Sequence, residues 1–102
     1  MKAGNSHLME ALTILGTGKV KYVHQITLLQ RNGNRLRAKE AVPATSASSS
    51  TFMIYGKTMG SPNVAFAVPA EELVGLEIEW DSLPEGVTDI PSAIAHEKKA
   101  RK

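Results

Sequence analysis

Between Lys19 and Val42 the chain reads as two strands folded back on each other, and the side chains that must be hidden decide how they fold back. Residues 19–30 alternate β-branched or aromatic side chains with polar ones, and residues 34–42 return after Arg31, Asn32 and Gly33. A two-residue loop at Asn32 and Gly33 would set Leu28 against Arg37 and Ile26 against Lys39, which puts cations on the apolar side. A three-residue loop, with Arg31 and Asn32 in a type I turn and Gly33 in the left-handed region, changes the parity. It sets Leu28 against Leu36, Ile26 against Ala38, His24 against Glu40 and Tyr22 against Val42. Because a slip of one residue reverses every side chain, burial selects this register, with a bulge at the glycine. The hairpin then has an apolar face and a face carrying Lys19, Lys21, Gln25, Thr27, Arg35, Arg37 and Lys39. His24 and Glu40 meet on the inward side, as a cross-strand pair near the edge of the core.

The rest of the chain continues in short strands. Residues 52–55 are apolar on both faces, as in a central strand. Val64, Phe66 and Val68 share one face of another strand. Pro69 to Leu73, a proline followed by acids, starts as a single helical turn does. Leu76, Ile78 and Trp80 alternate with Glu77, Glu79 and Asp81, a half-buried strand whose wet face is acidic. Residues 44–51 are small, polar and of low complexity, a mobile connection. At the N-terminal end, Asn5 or Ser6 can cap a helix over 7–15, ended by Gly16, with Leu8, Leu12 and Leu15 on one face. Thr13 to Leu15 also suits the end of a strand, and the reading leans to a strand or mixed element. Residues 91–97 suit a short helix, with Asp89 near its start and cations at its end.

With 102 residues there is room for one core. Hydrophobic residues at 42% and charged residues at 22% are those of a folded domain. The expected fold is all-β: a small five- to six-stranded barrel or a strongly bent antiparallel sheet, SH3-like by architectural analogy, with a short C-terminal helix or basic tail. Its expected division is a flexible leader over 1–7, a single β domain over 8–83, and a C-terminal extension over 84–102 with a basic end.

Charge is sharply divided along the chain. Residues 1–57 hold eight Lys or Arg against two acids, a formal +6, whereas residues 58–97 hold eight acids and no Lys or Arg. Lys98, Lys99, Arg101 and Lys102 close the chain with +4. Either the cationic part holds phosphates, or the two parts neutralise one another within the fold or between copies.

Enzyme chemistry finds few handles. There is no cysteine, hence no thiolate, disulfide or thiolate zinc site. His7, His24 and His96 lack metal-ligand spacing. Gly16, Thr17, Gly18 and Lys19 are not a phosphate loop, because Thr13 and Val20 stand where the motif requires glycine and a hydroxyl. Glu77 and Glu79 share a strand face, but nothing desolvates either one. The expectation is therefore no enzyme, no metal and no cofactor. It is instead a nucleic-acid-binding domain with phosphate-dominated contacts from Lys19, Lys21, Arg31, Arg35, Arg37, Lys39, Lys98, Lys99, Arg101 and Lys102, with Arg31 beside the turn reaching into a groove. With few aromatics, duplex or backbone contact suits it better than base stacking. The alternative is an assembly or docking protein, of viral or accessory type, in which the acidic face of Glu77, Glu79 and Asp81 meets the basic face of another copy or of a host protein. No apolar run is long enough to span a bilayer and no secretion signal is visible. The expected compartment is cytoplasmic or otherwise intracellular, with a virion included.

Overall fold

The computed structural model describes residues 3–45, 52–60 and 64–100. In chain order the elements are helix α1 (Ala3–Leu15) and strands β1 (Val23–Gln30), β2 (Arg35–Thr45), β3 (Phe52–Thr58) and β4 (Ala65–Pro69). A 3-10 turn (Ala70–Glu72), strand β5 (Leu73–Trp80) and helix α2 (Ile90–Ala100) complete the chain. The five strands form one antiparallel sheet in the order β4-β3-β2-β1-β5. Of the two sheet forms expected, the open one is present: the ends do not close into a barrel, and β4 and β5 are edges. The expected helical turn before the last strand is the 3-10 turn.

The hairpin has the three-residue register. Leu28 faces Leu36, and Ile26 faces Ala38. Gln30 N–H donates to the Asn34 carbonyl at 2.9 Å, and Gly33 takes φ 89°. The chosen face is buried as the parity argument requires. Ile26, Leu28, Ala38, Ala41 and Ile54 are fully inaccessible, and β5 adds Leu76 and Ile78 opposite Leu28 and Ile26. Each such large side chain contributes about 1.5–3 kcal/mol by leaving water.

The segment before the hairpin departs from the expected strand or mixed element: it is α1, whose Met9 and Leu12 enter the same core. Leu8, Leu12 and Leu15 do share its inward side, and one helix covering an otherwise wet sheet face buries more than a sixth strand at the edge would. The helix takes in residues 3–7, assigned above to the leader, because propagation costs little once the buried turns exist. It stops at Gly16, whose N–H donates to the Leu12 carbonyl at 2.8 Å while its carbonyl accepts from Ala41 N–H at 2.7 Å. A Cβ on Gly16 would run into the Ala41 carbonyl oxygen. The chain then turns through residues 16–22, so β1 begins at Val23, and Lys19 to Tyr22 are not strand as expected.

Helix α2 is docked against α1 rather than trailing free. Ile14, Leu15, Val87 and Ala93 form a second buried cluster, with Tyr22, Trp80, Ile90 and Ile94 against it. Its start is fixed by a reciprocal cap. Asp89 Oδ1 accepts from Ser92 N–H at 2.9 Å, and Ser92 Oγ accepts from Asp89 N–H at 3.0 Å. Hydrogen bonding from the Ser92 backbone N–H, and then from its hydroxyl, holds the Asp89 carboxyl below its ordinary range. At the other end Tyr22 Oη donates to Glu97 at 2.8 Å, with the Trp80 and His96 rings beside it.

Gly16→Ala is expected to cost about 2–3 kcal/mol in urea denaturation, since the obstacle is backbone that cannot step aside. Gly33→Ala, with open space around it, is expected to cost about 1–2 kcal/mol from the left-handed conformation alone. Burial, and then the bond to Glu97, push the Tyr22 phenol from 10.0 to about 12. A raised acid stabilises the fold below its unfolded value and loses that contribution as pH climbs to the folded one. Melting temperature should therefore fall between pH 10 and 12 by a component that Tyr22→Phe removes.

Candidate nucleic-acid interface

The face of the sheet turned away from α1 is where the hairpin's cations project. The rows across it follow from the register. Thr27 lies between Arg37 of β2 and Glu77 of β5, and Gln25 lies beside Glu79. β5 hydrogen-bonds to β1, so the acidic strand, remote in sequence, stands on the same face as the basic one. Arg35 is accordingly ion-paired with Glu77. Thr27 is only 6% exposed even though this face is the wet one, flanked by the long Arg37 and Glu77 side chains.

Three bulges modify the alternation. In β1 an extra residue, His24, lies between Val23 and Gln25, so Val23 joins the core and the imidazole turns outward. The expected His24–Glu40 pair is therefore not formed. His24 Nδ1 is instead 3.2 Å from Asp81 Oδ1, and Nε2 is 3.8 Å from Glu79. In β2 the register shifts between Ala38 and Glu40, at Lys39. From there Ala41 faces the core, and Glu40 meets Lys57 at 3.7 Å. In β5 the extra residue is Val74, more than half exposed.

Of the ten cations singled out in the sequence, the eight that are described do not form one continuous face. Lys19 and Lys21 are exposed on the turn between α1 and β1. Arg31 donates to the Glu71 carbonyl at 3.0 Å, and its own N–H to the Glu72 carbonyl at 2.7 Å, which pins the hairpin tip to the 3-10 turn rather than freeing it to enter a groove. Arg35 is paired. Lys98 is bound to Glu10 at 2.7 Å, which holds that carboxyl below its usual range. Lys99 is exposed in the last turn of α2, while Arg101 and Lys102 lie outside the described residues. Arg37 and Lys39, with Lys19, Lys21 and Lys99, have no carboxylate partner among the described residues. Of the acidic residues, Glu77 serves Arg35, while Glu79 and Asp81 flank His24.

Lys39 lines two hollows. One, of about 370 Å³, is bordered also by Val23, His24, Thr58, Met59, Gly60 and Asp81. The other, of about 250 Å³, is bordered by Thr17, Gly18, Glu40 and Lys57. Sequence reasoning missed Lys57, Thr58 and Met59 because they meet Lys39 only through the β2–β3 pairing. Among the described residues no group of three or more His, Asp or Glu converges as a metal site. No described helix is long and apolar enough to cross a membrane.

The fold and face define a small open-sheet domain with a mixed-charge surface and concave ground around one lysine. Comparison with family models, curated proteins and solved structures finds no match to this chain, so its chemistry is read from the geometry alone.

Proposed function

We propose that this chain is a non-enzymatic nucleic-acid-binding domain whose contacts are made to phosphates by Arg37 and Lys39, supported by Lys19 and Lys21 on the adjoining turn. The observation that carries this reading is that Arg37 and Lys39 project from one strand without a carboxylate partner among the described residues. Arg35, two residues before, is already satisfied by Glu77. An unpaired exposed cation releases a counterion from a phosphate without first giving up an internal partner. Gln25 and Thr27 add polar groups to the same face, though the burial of Thr27 limits it to a supporting part.

The test is fluorescence anisotropy with labelled duplex and single-stranded probes at two salt concentrations. Arg37→Ala with Lys39→Ala is expected to weaken binding about tenfold or more at low salt and to lower the salt slope by about 2. Arg35→Ala should have a smaller effect, because it also frees Glu77. Wild-type protein that ignores both probes at low salt would remove this reading.

A second reading, self-assembly, is favoured by the outer edges of β4 and β5, which pair with no further strand among the described residues. Glu77 and Glu79 stand on the β5 edge, whereas Lys57 lies next to β4 through its pairing with Ala65. An edge of one copy meeting the opposite edge of the next is a head-to-tail contact, which builds rings or filaments. Light scattering is then expected to show association that Glu77→Lys with Glu79→Lys disrupts. A monomer at every salt and protein concentration would count against it.

A further inference from the structure

We propose that the hollow between Lys39, His24 and Asp81 receives a nucleoside phosphate, with Lys39 on the phosphate and His24 and Asp81 at the edge of the base. The inference deepens the phosphate-contact reading above and rests on it for the role of Lys39.

Two bulges border this hollow, and the residues at those irregularities, His24 in β1 and Lys39 in β2, are among those that line it. A regular ladder would have turned His24 inward. Bulges of this kind re-aim side chains and interrupt pairing beside functional ground. The resulting walls differ in chemistry. Lys39 supplies a cation without a carboxylate partner among the described residues, and His24 and Asp81, 3.2 Å apart, supply a donor and acceptor pair. Val23 and Met59 supply apolar contact.

The acids narrow the class of ligand. Glu79 and Asp81 on one side, and Glu40 beside Lys57 on the other, make this poor ground for a bare polyanion. A nucleoside phosphate suits it, because a base offers exocyclic N–H groups to a carboxylate while its phosphate lies at the lysine. The second hollow shares Lys39 and adds Lys57, whose pairing with Glu40 the adjoining phosphate of a strand would have to displace. The ligand is thus either a free nucleotide or one residue of a single strand, and the same site chemistry serves both.

The test is titration of the full chain, followed by amide NMR shifts, with adenosine monophosphate, inorganic phosphate and a short oligoadenylate. Adenosine monophosphate is expected to move the amides of Val23, His24, Lys39, Met59 and Gly60. Lys39→Ala should weaken it about tenfold, the worth of one charged hydrogen bond. Asp81→Asn should weaken adenosine monophosphate but not inorganic phosphate, with retained spectral dispersion showing that each variant is folded. Saturation by the monophosphate alone marks a free nucleotide as the source. Tighter binding of the oligoadenylate, with Gly18 and Lys57 amides also moving, marks a strand. If inorganic phosphate reproduces every shift, or if the nucleotides leave these amides still, the proposal is overturned. That second outcome, together with salt-dependent binding of nucleic acid elsewhere on the chain, would sink the hollow and spare the domain's proposed function. Filling of the hollow by the monophosphate, with no binding of polymers, would do the reverse.

Discussion

The charged face of the sheet takes its position from the burial of Ile26 and Leu28. They lie on β1, the strand hydrogen-bonded on both sides to β2 and β5, and neither side chain is accessible to water. Leu36 and Ala38 approach them from one neighbour, Leu76 and Ile78 from the other, and α1 closes the face with Met9 and Leu12. Once those positions are committed inward, the residues between them have no choice of side. Arg35, Arg37, Glu77 and Glu79 therefore share a wet face because their neighbours are greasy, and the charges contribute little to the choice. Exposed ion pairs such as Arg35–Glu77 are worth at most about 1 kcal/mol, less than the burial of a single leucine.

Where that alternation is interrupted, the surface changes character. A strict period of two would bury His24 and Glu40 together beside the core, at a desolvation cost that few partners recover. Extra residues in β1 and β2 avoid this by turning both groups toward water, while Val23 and Ala41 fill the inward positions. The Ala41 position has a further consequence. Its N–H lies beyond the end of the β1–β2 ladder and is satisfied by the Gly16 carbonyl, so the helix terminus stands in for missing strand. The close backbone approach this requires leaves no room for a side chain on residue 16.

These facts also explain what could be read in the sequence and what could not. The turn at Gly33, the pairing of Leu28 with Leu36, the single turn after Pro69 and the half-buried strand ending at Trp80 all follow from local parity and turn chemistry. The pattern contains that information within a dozen residues. Helix α1 was ambiguous because Leu8, Leu12 and Leu15 fit a helical face while Thr13 to Leu15 fit a strand end, and only the exposed sheet face decides between them. The bulges at His24 and Lys39 leave no local mark, since they answer to packing against other strands. The pairing of Arg35 with Glu77 was least legible. It depends on β5 returning beside β1, a contact between residues 42 apart in sequence.

That return converts a division of charge along the chain into a mixture of charge in space. A basic half and an acidic half would, if folded separately, give a surface with a strong field. Placed on adjacent strands they partly cancel, which weakens the long-range field of this face. The cations that escape cancellation do so for local reasons. Arg37 faces Glu77 only across the intervening Thr27, and Glu77 is already engaged by Arg35. Lys39 stands at a bulge, where the ladder supplies no level neighbour on β3 to oppose it. An irregularity that the core required for its own packing thus leaves the Lys39 ammonium, at the rim of two hollows, without a carboxylate partner among the described residues.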